Sequence, residues 1–145
     1  MHFIKKICFI IILGLIACTA VSGDDSVNDS VKVQINEDIF DVELENNSAA
    51  HEFIKELEKG NITVNTTEYG GFEKVGELGF SLPANDENIN TEPGDIVLYQ
   101  GDKISLFYGS HLWSYTKLGK IDNISSNELK EVLGPDDVTL IFSLG

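Results

Sequence analysis

Residues 93–122, PGDIVLYQGDKISLFYGSHLWSYTKLGKID, press three strand-like runs and two tight turns into thirty residues. That density commits this part of the chain to antiparallel β-structure. Glu92-Pro93-Gly94-Asp95 carries Pro at the second and Gly at the third position of a turn, the type II pattern, whose third residue needs a positive φ. Ile96 to Gln100 reads as a strand, Gly101-Asp102 as a tight connection, and Lys103 to Tyr108 as the hairpin partner. His111 to Lys117 and then Leu118 to Ile121 continue as strand. The stretch also holds a dense aromatic cluster, with no recognisable nucleophile–base pair, metal box or phosphate loop.

The flanking sequence has the same β-rich character. Val31-Lys32-Val33-Gln34-Ile35 alternates strictly, as a half-buried strand does. Asn36-Glu37-Asp38 is turn-like and Ile39 to Leu44 resumes the alternation, so residues 31–44 form a hairpin. Between Asn46 and Lys59 the period changes: Ala50, Phe53, Ile54 and Leu57 fall on one helical face. Asn47 or Ser48 caps its start and Gly60 its end. Ile62 to Thr67 is a strand, Tyr69-Gly70-Gly71-Phe72 reads as a flexible loop at a pocket mouth or as a plain turn, with the turn preferred, and Phe72 to Phe80 is a further strand. Gly76 and Gly79 inside it mark a bulge or a close backbone approach. Pro83 to Thr91 is a polar surface loop. Ser125-Ser126-Asn127-Glu128 is a capping box opening a helix through Leu133, which Gly134-Pro135 stops. Asp137 to Leu144 closes the chain as an apolar strand. Roughly eight strands and two short helices, mostly antiparallel, predict a mainly β protein with a closed or half-closed barrel.

The N-terminal residues supply an address. Lys5 and Lys6 precede the apolar run Ile7 to Ile16, which is shorter than the about 20 residues a spanning helix needs. Basic start, apolar run and small-residue ending make a secretory signal peptide. Leu15-Ile16-Ala17-Cys18 resembles the lipobox of prokaryotic lipoproteins, which implies a diacylglycerol on the Cys18 thiol and a mature chain beginning there. The competing reading is an ordinary signal peptide cut near Ser22-Gly23. The expected organisation is a leader over residues 1–17, a disordered tether over 18–30 and one domain over 31–145.

That processing alters the composition. The chain has 24 acidic residues against ten lysines and no arginine; losing Lys5 and Lys6 takes its net charge from −14 to −16. Cys8 leaves with the leader, so no intrachain disulfide forms and the fold rests on its core. An acidic surface repels nucleic acid and anionic headgroups, so the membrane contact is the lipid on Cys18, with no nucleic-acid partner. The domain is expected to be monomeric.

Glu92-Pro93-Gly94-Asp95-Ile96, Ser105-Leu106-Phe107-Tyr108 and Lys117-Leu118-Gly119-Lys120-Ile121-Asp122 resemble the core of the bacterial and archaeal cyclophilin-like family. Glu68 to Lys74 and Gly79 to Pro83 fit the same pattern, so the resemblance covers about residues 31–144. It implies a closed eight-stranded β-barrel with helices covering its ends. True cyclophilins isomerise prolyl bonds with the help of an arginine. This chain has none, and a lysine offers a point charge without the fork geometry. The expected function is therefore a lipid-anchored, non-catalytic module for a peptide or small ligand at the cell envelope. The alternative is a prolyl isomerase or folding helper for exported proteins.

The candidate ligand-binding residues are His111, Trp113, Tyr115, Tyr108 and Phe107. Alternation sends Phe107 and Tyr108 to opposite faces, so one of them is core. Trp113 and Tyr115 share a face and make an apolar platform with polar tips, or else fill the barrel. His111 beside them is a hydrogen-bonding contact or a plain surface histidine. No catalytic set, metal site or cofactor is expected: the acidic pairs Asp86-Glu87 and Asp136-Asp137 lack the spacing of a calcium loop.

Overall fold

The computed structural model describes residues 30–145. The expected leader, Cys18 with its expected lipid, and the expected tether through residue 29 lie outside the described residues. Among the described residues no helix is long and apolar enough to cross a membrane.

The chain forms β1 (Val31–Ile35), β2 (Asp38–Leu44), α1 (Ser48–Lys59), β3 (Ile62–Tyr69), β4 (Glu73–Glu77), β5 (Glu87–Asn90), β6 (Asp95–Tyr99), β7 (Lys103–Phe107), β8 (Leu112–Ile121), α2 (Ser126–Leu133) and β9 (Val138–Leu144). The turns obey local chemistry. Asn36 takes φ +57° in the two-residue β1–β2 connection, and Asn accepts the left-handed region better than most residues. Gly94 takes φ +95°, and the Asp95 amide donates to the Glu92 carbonyl at 3.0 Å, closing the expected turn. The Asn47 side chain accepts from the Ala50 amide to start α1, and Ser125 and Glu128 form a reciprocal capping box at α2.

Eight antiparallel strands run in the order β2-β1-β9-β3-β4-β7-β6-β8, and β8 pairs back with β2 to close the barrel. Closure rests on three residue pairs, Val42 with Ile121, Glu43 with Lys120 and Leu44 with Gly119. Ile96 and Leu98 of β6, Ile104 and Leu106 of β7, and Val31, Val33 and Ile35 of β1 fill the interior, where α1 adds Phe53 and Leu57 and α2 adds Leu129 and Leu133. Each such side chain contributes about 1.5–3 kcal/mol on burial. The alternate residues of β6 and β7 face outward, and there Val97 and Phe107 join Tyr115 in a second, separate apolar cluster.

Two segments depart from expectation. The loop expected over Pro83 to Thr91 contains β5. This strand is nearly all polar, with only Ile89 apolar, so its sequence carries no strand signal. It forms because the first residues of β8 extend past β6 and offer an open edge, where Glu87 pairs with Tyr115 and Ile89 with Trp113. The strand expected through Phe80 ends at Glu77. Beyond it the Leu78 and Leu82 amides bond the Asp102 and Gly101 carbonyls, carrying the chain over the β6–β7 turn instead of along β7.

Lys74 points into the barrel and is fully buried. Its ammonium donates to the Asp136 carbonyl at 2.7 Å and pairs with Glu68 at 3.3 Å. Glu68 also accepts from the Tyr108 hydroxyl at 2.6 and 2.7 Å and from the Gly71 amide at 2.9 Å. Desolvation works to raise the Glu68 pKa. The bonds from Tyr108, Lys74 and Gly71 together outweigh it and hold the carboxyl below its ordinary 4.5.

Candidate ligand pocket

A cavity of about 780 Å³ opens on the outer face of the barrel, over β4, β6, β7 and the start of β8. The β3–β4 turn builds one wall. Gly70 (φ +65°) and Gly71 (φ +77°) reverse the chain tightly, and a Cβ on Gly70 would meet the Phe72 ring at 2.3 Å. Glycine there lets Phe72 fold back over its own turn.

Phe72 is the hub of an aromatic stack. Its ring lies 4.3 Å from that of His111, tilted by only 10°, and parallel to Phe107 at 6.1 Å. His111 in turn faces Trp113 at 6.2 Å and 24°. Thr91 fixes His111: the Thr91 hydroxyl accepts from the His111 amide at 2.9 Å, and the Thr91 amide donates to the His111 carbonyl at 3.0 Å. His111 Nδ1 shares a hydrogen bond with the Tyr115 hydroxyl at 3.0 Å. Tyr115 packs edge-on against Phe107 and Tyr99 at 5.4 and 5.9 Å. Burial first, and then the Glu73 charge, push its phenol above the ordinary value of 10, so Tyr115 holds its proton at neutral pH. Trp113 is 54% exposed at the mouth, while Tyr115 is 3% exposed beneath it. An exposed indole above a buried aromatic floor gives an apolar ligand area to cover.

The floor is not wholly apolar. Glu73 lines the cavity and is 6% exposed. It sits opposite Phe107 on the outward face of β4. Burial raises its pKa above 4.5; the Ser105 hydroxyl and His111 oppose the shift, and the Glu68 charge adds to it. Ser105 is itself buried on the same outward face, next to Glu73. Lys103 stands at the rim with its ammonium engaged by Asp102 at 3.1 Å and Glu77 at 3.7 Å. Unlike Glu68, Glu73 has neither a lysine nor a backbone amide acting on it.

Of the five sequence candidates, His111, Trp113 and Tyr115 line this cavity together. Phe107 lies beneath them, fully buried, as support. Tyr108 turns the other way, into the main core with its hydroxyl on Glu68, and does not line the cavity. Sequence reasoning favoured plain turn geometry for Tyr69-Gly70-Gly71-Phe72 over a loop at a pocket mouth; the turn lines the cavity and forms its wall. It passed over Glu73 and Tyr99 altogether. Alternation along β4 puts Glu73 and Val75 on one face, but only the long-range register with β7 shows that this face lies beside the aromatic segment.

The geometry thus defines a closed antiparallel barrel with an aromatic cavity on its outside. The model of the cyclophilin-like family matches residues 33–143, and the chain belongs to that family. No curated protein and no solved structure matches it.

Proposed function

We propose that this cyclophilin-like domain is a non-catalytic binding module for a peptide or small ligand, held at the cell envelope by a lipid on Cys18. The observation that carries the reading is the outer cavity itself, where Phe72, His111 and Trp113 are stacked in advance and Tyr115 closes the floor. A preformed aromatic wall spares a ligand the cost of ordering side chains on binding. The lipid and the envelope location rest on the sequence at residues 5–18. Trp113 is the only tryptophan, so its fluorescence reports on the cavity mouth directly. Titration of the purified protein with peptide and metabolite libraries is expected to give a saturable change in that fluorescence. No response across both libraries contradicts the reading. A protease-coupled prolyl isomerisation assay is expected to be blank, and turnover that is lost in His111→Ala would replace the binding module with an enzyme.

A further inference from the structure

Glu73 is the feature that a purely apolar pocket does not explain. A carboxylate buried to this degree is costly unless a cation or several donors face it. The same barrel shows what a satisfied carboxylate looks like, because Glu68 receives a lysine, a phenol and a backbone amide. Glu73 receives none of these; only the Ser105 hydroxyl and the His111 ring act to favour its charged form. Glu73 and Ser105 project from the outward faces of β4 and β7, with Glu73 on the cavity floor. A buried carboxylate with so few donors beside an open cavity leaves room for donors supplied from outside.

The walls point the same way. Phe72, Tyr99, Trp113 and Tyr115 present ring faces and edges around the space above Glu73. Ring faces attract cations within about 6 Å of their centroids. The one lysine at the rim, Lys103, already has its charge engaged by Asp102 and Glu77. At long range, a chain of net charge −14 attracts cations and repels anions.

We infer that the pocket takes a ligand bearing an organic cation, an ammonium or guanidinium group, which enters between the aromatic rings and is received by the Glu73 carboxylate with Ser105 beside it. This rests on the ligand-binding reading above and names its chemistry. The cation can be a free amine or the side chain of a lysine or arginine in a peptide, since the recognised group is the same.

The test pairs cations with neutral isosteres. n-Butylguanidinium is titrated against n-butylurea, and the peptide acetyl-Gly-Lys-Gly-amide against its Nε-acetylated form, with butyrate as the anion. Trp113 fluorescence and the ¹H–¹⁵N spectrum of the purified protein are followed. Each cation is expected to bind at least about tenfold more tightly than its isostere, a difference of about 1.4 kcal/mol. Glu73→Gln is expected to erase that preference. Should that variant fail to fold, the cation-to-isostere ratio on the unaltered protein decides alone. Equal binding of n-butylurea or butyrate overturns the cation inference and leaves the ligand pocket standing. Library hits that are all neutral or acidic also overturn it. Silence from probes and libraries alike removes both readings. A stronger response from the guanidinium supports a free ligand, and one from the peptide supports a side chain.

Discussion

Two close backbone approaches in the sheet depend on glycine, Gly119 at the closing β8–β2 seam and Gly76 where β4 meets β3, and substituting them tests the register at each. At Gly119, where β8 meets β2, a Cβ would sit 2.7 Å from the Glu43 carbonyl oxygen, 3.1 Å from Val42 Cγ1 and 3.3 Å from Leu44 Cα. Ordinary contact begins at 3.4 Å, so the Glu43 carbonyl would have to retreat by 0.7 Å. At Gly76 the obstacle is nearer, with the Asn65 carbonyl oxygen at 2.2 Å and its carbon at 2.9 Å, a retreat of 1.2 Å. In both places backbone must move, and overpacking of this kind costs about 1–3 kcal/mol. Gly119→Ala is expected in the middle of that range and Gly76→Ala at or above its top. At about 4 °C per kcal/mol for a domain of this size, the melting temperature falls by about 8 °C and by 12 °C or more. Calorimetry supplies the melting temperatures. Amide exchange at Glu45, whose N–H donates to the Leu118 carbonyl at 2.8 Å, reports the closing seam. The reasoning is refuted if Gly119→Ala melts within about 1 °C of the parent with unchanged Glu45 exchange, or if Gly76→Ala is the milder substitution.

Other expectations concern the buried charges and the pocket. Glu68→Ala leaves Lys74 buried without its counter-ion and Tyr108 without its acceptor. It is expected to cost about 2–3 kcal/mol by chemical denaturation, below the about 3–5 kcal/mol of a broken fully buried pair because Glu68 is partly exposed. The lowered Glu68 pKa implies stability fully present above the unfolded value near 4.5 and lost as pH falls through the folded value below it, so Glu68→Gln should flatten the acid limb of a melting-temperature profile. Glu73 has the opposite sign: with its pKa raised, its contribution is full below 4.5 and lost as pH rises through the folded value. Glu73→Gln is therefore expected to gain on the parent in that window, and a constant difference across pH would contradict the assignment. Trp113→Ala, at an exposed position, should change stability by no more than about 0.5 kcal/mol while abolishing the fluorescence response and weakening ligand binding measured by calorimetry.

Much of the barrel was legible because its signals are local. Strict alternation over Val31 to Ile35, the Pro93-Gly94 turn, the Asn47 cap and the Ser125–Glu128 box each specify their own few residues. β5 was not legible, since its strand character is borrowed from the free edge of β8. The pocket was half legible. Period two places Trp113 and Tyr115 on one face, and His111 two residues earlier continues it. The same rule separates Phe107 from Tyr108 without saying which goes inward; the pairing of β7 with β4 decides that, putting Phe107 beside Glu73 under the cavity. Glu73 looked like one acid among 24 because its burial comes from register and from Phe72 folding back, neither of which a short window of sequence contains.

The most direct test of a ligand pocket on the outer face is the indole N–H resonance of Trp113, followed as n-butylguanidinium is added to the ¹⁵N-labelled protein. A single site over Glu73 predicts a saturable shift of that resonance, joined by the amides of Phe72, Glu73, His111 and Tyr115, with β1 and β9 on the opposite side of the barrel unmoved. A silent indole, or shifts centred instead on the polar hollow at Asn36, Asn65 and Thr139, would contradict it.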